Sequence, residues 1–217
     1  MLLRIVNVFG GVILGWALGF ASALFNDWVK GHRRRKAIQR AVSTELREVA
    51  YRLLSVVYLT ENRHGKMDRE LLGWLLAQVK RYSGPNPKDG LLASIKGLLQ
   101  QTDADLAQFA AHEQAASAPS LFYPSLEASF TASAMAQANE FDPVFSERVL
   151  DILSNIHMFN EIRDNGLFYQ RLTFEPGLGD ANYRTVLQNA DMAQHRLSQH
   201  ARIIIDKITA LEEQMSK

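Results

Sequence analysis

One apolar run constrains this chain more than anything else in its 217 residues: the 21 positions from Ile5 to Phe25, followed at once by Lys30, Arg33, Arg34, Arg35, Lys36 and Arg40. At 1.5 Å per residue a helix over that run is about 31 Å long, the thickness of a bilayer's hydrocarbon core. Its one strongly polar side chain is Asn7, and Trp28 falls where an interfacial aromatic anchor belongs. The sequence therefore predicts a transmembrane anchor over residues 1–28 and a basic juxtamembrane segment over 29–40.

Ala21-Ser22-Ala23 resembles the small-residue mark of a signal-peptide cleavage site. Two features oppose that reading. The apolar run is longer than a signal core, and the charge is reversed, with Arg4 before it and six Lys or Arg after it. Because cations gather on the cytoplasmic side, the expected placement is single-pass in the inner (cytoplasmic) membrane, with the N-terminus out and the C-terminal domain in the cytoplasm. The chain has no Cys, in keeping with a reducing compartment.

Within the run, Asn7, Gly11, Gly15, Gly19 and Ala23 stand four apart, so one stripe of the span carries almost no side chain. Such rows let a second helix approach closely and make these five residues the candidate transmembrane packing positions, for a homo-oligomer in the membrane. Lys30, Arg33, Arg34, Arg35, Lys36 and Arg40 are the candidate contacts to lipid headgroups. Nucleic acid is not expected as a partner. Residues 41–217 carry 17 Lys and Arg against 22 Asp and Glu, a balance of −5, which leaves no basic track beyond the juxtamembrane cluster.

The periodicity after residue 40 is helical throughout, so the expected fold class is all-α: one N-terminal transmembrane helix, then a cytosolic helical bundle over 41–217 with a long C-terminal helix. Ile38, Val42, Leu46, Val49, Leu53 and Val56 share one stripe over 34–62. If Gly31 does not kink it, that helix continues the span as one rod. Asp68–Tyr82 reads as a second helix with Leu71, Leu75 and Val79 inward, stopped by Ser83-Gly84-Pro85-Asn86-Pro87. Leu91, Leu92, Ile95, Leu98 and Leu99 mark a third, and Thr102 with Asp105 opens a fourth that breaks between Ser117 and Pro124. Asp142-Pro143 starts a helix with Phe145, Val149, Ile152, Ile156 and Phe159 inward, and Asn165-Gly166 is expected to end it, leaving Leu167–Gly179 as a partly extended aromatic connection.

The last helix carries Tyr183, Leu187, Ala190, Gln194, Leu197, Ala201, Ile204, Ile208, Leu211 and Met215, a heptad seam broken by Gln194. Such a seam needs a partner helix. Packing against 34–62 of the same chain is preferred over an intermolecular coiled coil.

No residue constellation names a reaction. There is no Walker loop, no GxGxxG, no GxSxG and no HExxH, so no enzyme activity is expected. No cofactor or metal is implied either. His157 and Glu161 share a face, but a bundle metal site needs Glu-x-x-His pairs on two helices, and His195 and His200 stand five apart on different faces. The polar stretch 155–165 beside the aromatic connection is the one candidate ligand pocket, with Asn160, Glu161, Arg163, Tyr169 and Arg171 as its residues. The expected function is a membrane-anchored interaction or sensor module that holds a protein partner through its cytosolic helices. The alternative is an oligomeric membrane-disrupting effector of toxin or phage-defence type.

Overall fold

The computed structural model describes residues 2–116 and 123–215, with side chains from 22 onward apart from 23 and 27. All regular structure among them is helical: α1 (Leu2–Arg63), α2 (Arg69–Arg81), α3 (Asp89–Leu99), α4 (Asp103–Ala116), α5 (Ser129–Met135), a 3₁₀ turn (Ala138–Glu140), α6 (Pro143–Leu172) and α7 (Asp180–Met215). The chain divides into two units, Met1–Ala41 and Val42–Lys217. Among the described residues no helix is long and apolar enough to cross a membrane. The run Ile5–Phe25 and the row Asn7, Gly11, Gly15, Gly19 and Ala23 fall on positions whose side chains lie almost wholly outside the described ones.

In the N-terminal unit the described side chains belong to the end of the apolar run and the basic segment. Leu24, Phe25 and Trp28 are more than half exposed. Phe25 stacks on Trp28 at 6.0 Å between ring centroids, and Trp28 on His32 at 5.7 Å.

The C-terminal unit is organised around α7. Arg47 and Glu61, 14 residues apart on α1, meet Glu212 and Ser198, 14 apart on α7, so the two helices run antiparallel in fixed register. On a second side Trp74, Gln78 and Arg81 of α2 meet Asp206, Thr209 and Glu213, both series rising, which makes α2 parallel to α7. On a third side α6 returns antiparallel, with Lys207 on Asp151 and Arg148 donating to the Ala210 carbonyl at 3.4 Å. The expected seam is buried by these in-chain partners from Ala190 to Leu211, while Tyr183 and Met215 at its ends stay more than a third exposed.

The predicted inward residues of α1 from Val42 to Val56, of α2 and of α6 are buried. Helix starts follow their caps. Asp68 accepts from the Leu71 amide at 2.8 Å, and Asp142 accepts from the Val144 and Phe145 amides at 3.0 and 3.2 Å with Pro143 behind it. Thr102 and Asp105 exchange backbone bonds at 3.2 and 3.3 Å as a reciprocal cap on α4. Arg69 donates to the carbonyls of Leu99 and Gln101 and pairs with Asp103, tying the end of α3 to the start of α4.

One expected boundary is wrong. Asn165-Gly166 does not end α6, which continues to Leu172, so only 173–179 form the connection. A Cβ at Gly166 would sit 3.2 Å from the Cβ of Ala193: the glycine serves close approach of α6 to α7, and packing overrides its helix-breaking tendency. The helices at 129–140 were not expected. α5 has an alanine and serine sequence without apolar period, and its start is held from a distance by Glu45 of α1, which accepts from the Phe130 and Thr131 amides at 3.1 and 2.6 Å.

Gln194, the break in the seam, is 7 % exposed, and its Oε1 is buried without a hydrogen-bond partner among the described residues. A buried unpaired carbonyl costs about 1–3 kcal/mol. Gln194→Leu is therefore expected to raise the unfolding free energy by on the order of 1 kcal/mol, read as a higher midpoint of chemical denaturation at unchanged slope. A lower midpoint would show that the amide is satisfied in the folded protein.

Candidate functional site: a tyrosine-lined groove on the first helix

The five residues expected to line a ligand pocket do not converge. Glu161 is exposed beside His157, at 3.4 Å, and Arg171 is exposed in the last turn of α6. Tyr169 lines a polar concavity of about 210 Å³ between α6 and α7, with Asn165, Asn189 and Arg196 around it. Asn160 and Arg163 do something else. The Asn160 amide accepts from the Leu126 N–H and donates to the Leu126 carbonyl, both at 2.9 Å, and Arg163 Nε donates to the Tyr123 carbonyl at 2.6 Å. Together they strap the non-helical stretch 123–126 down as a strand neighbour would.

That strap forms one wall of a groove of about 290 Å³. The floor is α1, where Arg52, Ser55, Val56 and Leu59 recur at helical spacing on one face. Tyr123 and Leu126 stand on the strap side; Tyr51 and Asn86 stand opposite. Each wall is pinned. Tyr123 and Thr60 share a buried hydroxyl bond at 2.5 Å. Tyr51 stacks on Tyr82 at 4.1 Å and donates to the Pro87 carbonyl at 2.6 Å.

Asn86 is fixed through Glu48, whose carboxylate accepts from Tyr82 Oη at 2.7 and 2.8 Å and from the Asn86 amide. The loop passes so close that a Cβ at Gly84 would fall 2.0 Å from Glu48 Oε1 and 2.3 Å from Tyr82 Oη, so any larger residue here would have to displace the Glu48 and Tyr82 side chains from their bond. The proline and glycine run 83–87 was legible as a stop; that it closes over a carboxylate 38 residues earlier in the chain was not.

The phenols of this region ionise late. Burial raises the Tyr123 pKa to about 12; the charge of Glu61 adds to the rise, while the bond to Thr60 and the charge of Arg63 oppose it. Tyr51 and Tyr82 are raised as well, chiefly by burial and by Glu48.

The six juxtamembrane cations are all exposed. At 100° per residue Lys30, Arg33, Arg34, Lys36 and Arg40 fall within roughly 160° of the helix circumference, and Arg35 lies outside that arc. The charge is thus concentrated on one side of the helix. Among the described residues no group of three or more His, Asp or Glu is placed to hold a metal ion. In comparisons with protein-family models, curated proteins and solved structures, nothing matches this chain.

A phenol with its folded pKa above the unfolded value near 10 keeps its proton longer in the native state. Between pH about 10 and about 12 the native state then binds more protons than the unfolded one. Stability owed to Tyr123 is intact below pH about 10 and is lost as pH rises through that window. Tyr123→Phe should flatten this alkaline limb in denaturation profiles and remove the latest-ionising phenol from the ultraviolet titration. An unchanged alkaline limb would contradict the burial of this hydroxyl.

Proposed function

We propose that this chain is a single-pass membrane-anchored interaction or sensor module: residues 5–25 cross the inner membrane, the basic cluster from Lys30 to Arg40 rests among anionic headgroups, and the helical unit holds a cytosolic protein partner there. The observation that carries the reading is the apolar run of bilayer length followed at once by a basic cluster. The exposed Leu24, Phe25 and Trp28 support it too, because apolar side chains on a lone helix need a covering and lie where acyl chains and headgroups meet. A binding role is inferred over catalysis because the sequence pairs no nucleophile with a base.

The spacing of Gly11, Gly15 and Gly19 favours a second reading, an oligomeric effector whose spans assemble and disturb the membrane. Replacing all three with Leu separates the two. An interaction module keeps recruiting its partner, whereas an effector loses membrane permeabilisation on overexpression.

The anchor is tested by extraction. Full-length protein should stay in the membrane pellet through alkaline carbonate, and Leu14→Arg with Leu18→Arg should release it, since two central arginines cost about 5–7 kcal/mol of insertion. A C-terminal tag should resist protease added outside intact spheroplasts. Wild-type protein in the soluble fraction, or a tag cleaved from outside, would overturn the anchor or its orientation.

A further inference from the structure

The groove on α1 has the attributes of a small-molecule site, and these stand whether or not residues 5–25 enter a bilayer, because the groove lies wholly within the C-terminal unit. Its walls come from three separate parts of the chain, and each is held by a hydrogen bond to another segment. The Tyr123 and Tyr51 hydroxyls are spent on Thr60 and Pro87, and the Asn86 amide on Glu48. A pocket held this way is partly preorganised, which lowers the ordering cost of binding. Its volume is at the small end of ligand pockets, which start near roughly 300 Å³.

The lining also selects a chemistry. Val56, Leu59, Pro124 and Leu126 supply apolar faces, and two tyrosine rings flank them. Among the described residues no Asp or Glu lines the groove. The one charged side chain among those described in its lining is Arg52, exposed on the floor and making no hydrogen bond or ion pair with them. Glu48, one turn before Arg52, is engaged by Tyr82 and Asn86. An arginine in such a setting offers two parallel N–H donors and one positive charge at the edge of an apolar slot. One guanidinium with no second cation suits a monoanion; a phosphate dianion would be left undercompensated.

We propose that this groove binds a small apolar carboxylate, its aromatic or short aliphatic body lying on Val56 and Leu59 between the tyrosines and its carboxylate paired with Arg52, with Ser55 one turn further along as an additional donor.

The test uses the full chain in lipid nanodiscs, with empty nanodiscs as the blank. Fluorine NMR follows para-trifluoromethyl-phenylacetate and the corresponding neutral amide. The acid should bind saturably and about tenfold more tightly than the amide, the size of a charge-assisted pair. Arg52→Gln should bring acid and amide level. Leu59→Trp should abolish both while helicity and melting temperature stay those of the wild type, as expected for a position 45 % exposed. If that variant loses its fold, Ser55→Leu fills the same floor and is read in the same way. Acid binding no greater than the blank, undiminished binding to the filled groove, or an acid preference that survives Arg52→Gln would each overturn the proposal. Membrane extraction is measured separately, so loss of the groove and loss of the anchor are distinguishable.

Discussion

The C-terminal unit depends on α7 being shared. α1, α2 and α6 each bury a face against it, and polar pairs at fixed intervals set the register on every side: Glu61 with Ser198 and Arg47 with Glu212 for α1, Thr209 with Gln78 for α2, Lys207 with Asp151 for α6. Burying an aliphatic side chain is worth about 1.5–3 kcal/mol, and Ile204, Ile205, Ile208 and Leu211 are essentially removed from solvent. The exposed ion pairs add little energy, at most about 1 kcal/mol each. Their part is to make a sliding register costly. Glu61 matters more in this respect, since the residue is 6 % exposed and a shift of one turn would separate its carboxylate from Ser198.

With the helices fixed, the polar face of α1 becomes a row of posts for the rest of the chain. Glu45 holds the start of α5, Glu48 holds the 83–87 loop, and Thr60 holds Tyr123. The groove is the space left between two of these held segments. Its shape therefore derives from the same helix that also carries the apolar run and the basic cluster. That common origin gives one helix two proposed tasks, anchoring and holding a binding surface, without requiring any contact between the two units.

The helices were legible because their signals are local. A stripe at three and four residues, a cap and a proline or glycine stop predict α1 from Val42 onward, α2, α3 and the start of α6, whereas the α7 seam shows only that a partner helix is needed, since its length suits packing within or between chains. What was not legible depends on distance along the chain. Gly166 reads as a stop until Ala193 is placed against it, and α5 has no period of its own because Glu45 supplies its cap from 85 residues away. Asn160 and Arg163 stood out as polar residues near aromatics, but their partners are the backbone of Tyr123 and Leu126, so they support a groove they do not line. Arg52 and Tyr123 gave no signal, because a lone arginine and a Tyr-Pro pair are ordinary until the fold brings them to one concavity.

α7 folds back on α1 of its own chain in the register that places Glu212 at Arg47, where Nε and Oε1 stand 2.8 Å apart. The absence of native cysteine allows a direct measurement. Arg47→Cys and Glu212→Cys are introduced together, and the protein is treated in membranes with a short bismaleimide while being diluted with increasing wild-type chain. A loop closed within a monomeric chain, at a yield unaffected by dilution, is the predicted result. Cross-linked dimers whose yield falls with dilution, formed in place of the closed monomer, would contradict it and assign the seam to contacts between chains.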